Sequence, residues 1–229
     1  MTLEQLFEQI NSVFRGSDDD VPTVGSEDYT NWLLTANRKL SEYARDTNVS
    51  RQSLWEDRTL GSITFGTNTY DLDENFLTAS DRVYVLKGTQ YIYYTLQKPQ
   101  ERERLSNTVY ISGFDPQTLT FQTPFTATEQ AVGGVLHVPG YYLPDELENA
   151  NDVVPCDNPM WMVYATAAEL ASNDLQYSDK APDLNSRAND LWDKMVRLQR
   201  RGTSDNPRTL QYNVDAVRNT SVYGWRRDS

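Results

Sequence analysis

One cysteine and one histidine in 229 residues leave little from which to build a disulfide, a zinc site or a histidine-based triad. Cys156 has no partner for an internal disulfide, which suits a reducing compartment. It follows Pro155 near an expected helix start, where a thiolate would gain stability. His137 is the sole imidazole a Ser-His-Asp arrangement could use; it sits in the alternating run VLHV beside a Gly-Gly turn, the setting of a structural strand residue. Nowhere does an apolar run approach the roughly 18 to 20 residues of a membrane span. The opening MTLEQLFEQI lacks the basic start and apolar core of a signal peptide, so the chain is expected to stay in the compartment where it is made. A glycine-rich phosphate loop is also missing. Bases are scarce as well: 21 against 33 acids give a net charge of -12, which repels a phosphate backbone and disfavours ordinary nucleic-acid binding.

What is present begins with helical patterning. Thr2 and Gln5 have capping-box spacing, and Leu3, Leu6, Phe7, Ile10, Val13 and Phe14 recur at helical intervals before Gly16. SDDDVPTVG follows as a polar link whose three adjacent acids repel one another; their spacing is not that of a calcium loop. A second helix starts at Ser26, with Glu27 and Asp28 at the positive end of its dipole and Tyr29, Trp32, Leu33, Ala36, Leu40 and Tyr43 on its buried face.

From about Arg51 the period changes. SITF, TYDL, RVYVLKG, TQYIYYTLQK, NTVYISG, TLTFQTPF and GVLHVPGYY are β-branched and aromatic segments punctuated by Gly, Asn, Asp or Pro. Residues 113 to 116 read as a tight turn that sets Val109 and Ile111 beside Leu119 and Phe121 on one side of a sheet. Helical spacing returns after the loop LPDELENANDVVPCDN. Asn158 is the expected N-cap and Pro159 the first position of a helix to about 175, with Trp161, Tyr164, Ala168, Ala171 and Leu175 on one face. Its alanines make it thin enough for close helix contact. A last helix, about 183 to 201, carries Leu184, Ala188, Leu191, Trp192, Met195 and Leu198 and is expected to stop at Arg200, Arg201 and Gly202.

Residues 203 to 229 differ chemically from what precedes them. They hold four Arg and three Asp, against 17 bases and 30 acids in residues 1 to 202, and they include Tyr212, Tyr223 and Trp225 without helical spacing. They read as an extended arm. The order helix, helix, β block, helix, helix predicts an α+β fold: a four-helix bundle from residues 1–50 and 150–202, an inserted β domain over 51–149, and the arm at 203–229.

Paired carboxylates for a glycosidase could come from Asp145, Glu146 and Glu148 or from Asp71, Asp73 and Glu74, although acids this dense in loops are the usual solvated surface. No catalytic, cofactor-binding or metal-binding set is assigned. The tyrosine-rich β block, with Tyr84, Tyr91, Tyr93, Tyr94, Tyr141 and Tyr142 among others, supports either core and sheet-surface roles or a module that stacks sugars or a receptor.

Four segments resemble the head-to-tail adaptor, or connector, proteins of tailed bacteriophages. They are YTNWLLTANRKLSEYARD, with its early Trp and later basic pair; SLWED around Trp55; FGTNTYDLDENFLTASDRVYVLKG, similar to a Gly-x-x-x-Tyr-x-Leu-Pro stretch leading to a strand; and the Ala-rich NPMWMVYATAAELASND. Asp73 stands where Pro is common in that pattern. The resemblance implies a non-enzymatic virion protein, made in the host cytoplasm, that forms a ring of twelve at the head-to-tail junction. Its partners would be the portal, the next tail or neck component and its own copies, with DNA passing through without specific binding. By the same analogy the arm is the portal-binding element, with Tyr212, Tyr223, Trp225, Arg226 and Arg227 as anchors, since Trp, Tyr and Arg dominate interface hot spots. The competing expectation is a tail-associated β-domain recognition module that binds a host or another tail protein.

Overall fold

The computed structural model describes residues 1–16, 20–49, 51–97, 107–113 and 116–204. They form two compact units, one from residues 1–50 and 146–204, the other from 51–145.

The first unit contains α1 (Leu3–Phe14), α2 (Glu27–Arg45), α3 (Pro159–Asn173) and α4 (Ala181–Ser204). Thr2 and Gln5 close the capping box that starts α1, and the Ser26 side chain accepts from the Tyr29 amide to start α2. Asn158 does not cap α3 with its side chain. Its carbonyl instead accepts from the Trp161 amide, and Pro159 enters the first turn. Beyond α4's expected end, Gly202 lies inside the helix, which runs to Ser204.

The expected four-helix bundle with an inserted β domain is not what forms. The helices are of unequal length, 12, 19, 15 and 24 residues, and α3 is the hub on which the others pack. A four-helix bundle packs its helices around one shared core of apolar seam positions. α3 has no single seam: Trp161, Met162, Val163, Ala165, Thr166, Ala167, Ala168, Leu170 and Ala171 are buried all round it. Alanine at four of these positions lets neighbouring backbones approach, so three helices share one thin core helix.

Aromatic side chains lock α1 to α2. Phe7 meets Tyr29 and Trp32 edge to face at 5.2 and 5.5 Å, and Phe14 lies 6.0 Å from Trp32. The loop 146–154 is tied down by polar bonds. Asn37 bonds both backbone groups of Leu147, Asp152 accepts from the Glu148 and Asn149 amides, and the Leu3 amide donates to the Asp152 carbonyl.

The second unit is an eight-stranded mixed sheet that curls until it nearly closes as a barrel, and this is the larger departure from the expected fold. After a 3-10 turn at Gln52–Leu54 come β1 (Trp55–Ser62), β2 (Thr69–Asp71), β3 (Phe76–Ala79), β4 (Arg82–Lys87), β5 (Gln90–Leu96), β6 (Thr108–Ser112), β7 (Thr118–Phe121) and β8 (Val135–Tyr142). The order is β1-β8-β4-β5-β6-β7-β2, with β3 also on β8; the β5–β6 pair is parallel and the rest antiparallel.

Alternation decides which side chains turn inward. Val83 and Val85 of β4, Tyr94 of β5, Val109 of β6, Leu119 and Phe121 of β7, and Leu136, Val138 and Tyr142 of β8 fill the interior with Ile63, Leu72, Phe76 and Phe125. β6 and β7 pair Val109 with Phe121 and Ile111 with Leu119, as the alternation predicts. Residues 114 and 115 of the turn expected between these strands lie outside the described residues. Gly140 is where β3 crosses closest, and a Cβ there would sit 2.5 Å from the Thr78 carbonyl oxygen. Only glycine fits without moving a strand.

Candidate interaction surfaces

The outward positions of the sheet carry the first candidate surface. In β4 and β5 the residues opposite the buried valines and Tyr94 are Tyr84, Tyr91 and Tyr93, and Tyr84 pairs across the ladder with both Tyr93 and His137. A row across three strands results. Tyr84 stacks on the His137 ring at 4.6 Å with 9° between planes, and lies 5.4 and 5.9 Å from Tyr91 and Tyr93.

Asp57 of β1 organises this row. Its carboxylate accepts from the Tyr84 hydroxyl and lies 3.4 Å from His137 Nδ1, which is itself 3.2 Å from the Tyr84 oxygen. Burial and the adjacent carboxylate push the Tyr84 phenol up to about 12, so it remains a proton donor across the physiological range. Tyr91 and Tyr93 are more than half exposed and project beside this fixed pair. At the other end of β8, Trp55 meets Tyr141 edge to face at 5.2 Å, with the Arg51 guanidinium 4.8 Å from the Tyr141 ring. The arrangement is an aromatic face that also presents acidic and phenolic hydrogen-bonding groups.

The second candidate surface is a groove in the helical unit, among the end of α1, the outer face of α2 and the turn from α3 to α4. Phe14 and Trp32 form its floor, and Leu34 and Leu175 stand on its rim, 63% and 97% exposed. Leu175 therefore does not join the buried face of α3 as its spacing predicted, because the helix ends at Asn173. Arg15 spans the floor: it bonds Asp28 at 2.6 Å and lies 5.3 Å from the Trp32 ring centre. Lys180 donates to the Phe14 carbonyl at 2.9 Å and so satisfies one of the orphan carbonyls at the end of α1. At the groove's edge Glu169 receives Arg38 and, at 3.0 Å, Lys39.

The residues singled out from the sequence fare differently. Asp73 bonds Arg58 at 2.7 Å, and this bond holds its carboxyl below the ordinary range; Arg58 also bonds Glu56 at 2.6 Å. The acid is thus committed to an ion pair on the sheet surface. Cys156 is buried beside the Asn158 carbonyl, and burial pushes its thiol up to about 12. The thiolate stabilisation expected from its place before a helix is outweighed by desolvation. Among the described residues no group of three His, Cys, Asp or Glu side chains converges to hold a metal ion, and no helix is long and apolar enough to cross a membrane. Asp18 and Asp19 of the acidic link, and the arm anchors Tyr212, Tyr223, Trp225, Arg226 and Arg227, lie outside the described residues.

Sequence reasoning missed the partnership of Asp57, Tyr84 and His137. The signal was weak, because these residues are 27 and 53 positions apart and meet only through β8 pairing with both β1 and β4. The groove was missed for a similar reason: its lining residues belong to three helices and a turn. No family model matches the chain, and no curated protein matches it.

Proposed function

We propose that the chain is a structural subunit of a tailed-phage particle. It assembles as a ring of twelve at the head-to-tail junction, docks on the portal, continues the DNA channel and attaches the next tail component. The observation that carries this reading is the display of large apolar side chains on both units: Leu34, Leu175 and Leu198 on the helices, Trp55, Tyr91 and Tyr93 on the sheet. A protein that works by assembly needs such faces, because apolar area hidden between subunits drives association. The net charge of -12 fits the same role: an acidic wall holds duplex DNA weakly and lets it slide. The resemblance of residues 29–46, 65–88 and 158–174 to the adaptor proteins supports the particular site in the particle.

Mass measurement of the chain alone and with the portal protein of the same phage tests the reading. A ring on the portal supports it; a chain that stays monomeric with the portal present overturns it. Removal of everything after Ser204, where α4 ends, is expected to leave both units folded and to abolish portal attachment. Full attachment by the truncated chain would exclude the arm from that role.

The face built by Tyr84, Tyr91 and Tyr93 favours a second reading, in which the β unit recognises a host or another tail protein and the helices serve as its mount. The double variant Tyr91→Ala, Tyr93→Ala separates the two. Under the second reading it loses its partner while the chain's own assembly state is unchanged.

A further inference from the structure

α4 is 24 residues long and α3 is 15, or about 36 Å against about 22 Å at 1.5 Å per residue. A seven-residue turn joins them, so α4 returns along α3 and outruns it. Its apolar stripe, Leu184, Ala188, Leu191, Met195 and Leu198, lies within one face at helical spacing. Leu184, Ala188 and Met195 are covered, and Trp192 meets Trp161 near the start of α3 at 4.8 Å. Past Met195 the cover ends, and Leu198, on the same stripe, is 61% exposed.

The groove with Leu34 and Leu175 lies at the opposite end of α4, about 26 Å from Leu198 along the 17 residues from Ala181. One copy therefore cannot join its own two uncovered features. Charge separates them too. From Lys194 to Ser204 the chain has four bases and no acid, whereas residues 1 to 193 have 13 bases and 30 acids. In the groove Asp28 is paired with Arg15 and Arg38 with the neighbouring Glu169, so among the described residues Asp174 is the acid there that faces no base of its own copy in an ion pair.

We propose that the overhanging end of α4 from one copy seats in this groove of the next, Leu198 against Leu34 and Leu175, with Arg197 towards Asp174. This contact joins two different surfaces, and repeated with a fixed rotation it closes a ring. The basic end of α4 also offsets the mutual repulsion of acidic copies. The inference rests on the proposed ring and names the surfaces that make it.

Two full-length variants test it, one altered in the groove (Leu34→Glu with Leu175→Glu) and one at the overhang (Arg197→Glu with Leu198→Glu). All four side chains are exposed, so circular dichroism should match the wild type. Sedimentation velocity, with and without the portal, is expected to show neither variant assembling alone. Their equimolar mixture should stop at dimers, because each pair has one intact groove and one intact overhang. Wild-type assembly by either variant, or a mixture that stays monomeric, overturns the contact. If the wild type forms rings while both variants do so equally well, the contact fails and the ring reading stands. If the wild type assembles under neither condition, both fall.

Discussion

Asn37 offers a direct way to perturb the helical unit without touching its apolar core. Its side-chain amide donates to the Leu147 carbonyl at 2.9 Å and accepts from the Leu147 amide at 2.8 Å, so one residue of α2 serves the loop 146–154 as a neighbouring strand would. The residues are 110 positions apart and Leu147 is 3% exposed, so the bridge fixes a long-range contact. Asn37→Ala removes both bonds. At a net 0.5 to 1.5 kcal/mol each, with water able to reach part of this half-buried site, the loss should be about 2 kcal/mol. In a chain of this size that lowers Tm by about 5 °C. Asn37→Asp keeps the acceptor but turns a carboxylate oxygen towards the Leu147 carbonyl, so at neutral pH it should be at least as harmful. Urea unfolding followed by circular dichroism gives the stability change, and hydrogen exchange at the Leu147 amide shows whether the loop has come loose. Asn37→Ala within about 0.5 kcal/mol of wild type with Leu147 still protected, or Asn37→Asp equal to wild type, would refute the reasoning.

Other expectations follow from single features. Gly140→Ala should separate β3 from β8, since the new Cβ meets backbone rather than a flexible side chain; loss of amide protection at Ser80, which bonds the Pro139 carbonyl, reports it. The carboxyls of Asp73 and Asp152 are held low, the first chiefly by the Arg58 hydrogen bond and the second by the Asn149 and Glu148 amides. A depressed folded pKa contributes stability that is present above the unfolded value and lost as pH falls through the folded one, so stability should decline below about pH 4. The double variant Asp73→Asn, Asp152→Asn should flatten that decline in urea midpoints measured against pH. An unchanged slope would remove these carboxyls from the account.

Local signals were legible where a few adjacent residues decide the outcome. The Thr2 capping box, the Ser26 cap and the alternation of β4 and β8 read directly from spacing. β1 did not, because WEDRTLGS is an edge strand with one covered side; its exposed charges give no alternation to detect. SITF reads as a strand, yet β1 ends at Ser62 and Ile63 is buried just beyond it. β3 was hidden by its length, four residues held by pairing with distant β8.

The expected bundle failed for a related reason. Two helical hairpins that cannot each bury a face alone suggest one shared bundle, but a thin alanine helix can be buried on all sides by three unequal partners. Near closure of the sheet depends on β8 meeting β1, β3 and β4 at once, and no short segment encodes that. Surfaces were harder still. Exposed Leu198 looked like one more core position because its stripe is continuous; what uncovers it is the shorter length of α3.

The central claim is that this chain works by assembling with copies of itself on a portal. Native mass measurement of residues 1–229 mixed with the proposed partner, a tailed-phage portal protein, tests it most directly. The account predicts a closed complex carrying twelve copies. A chain that remains monomeric beside an intact portal contradicts it.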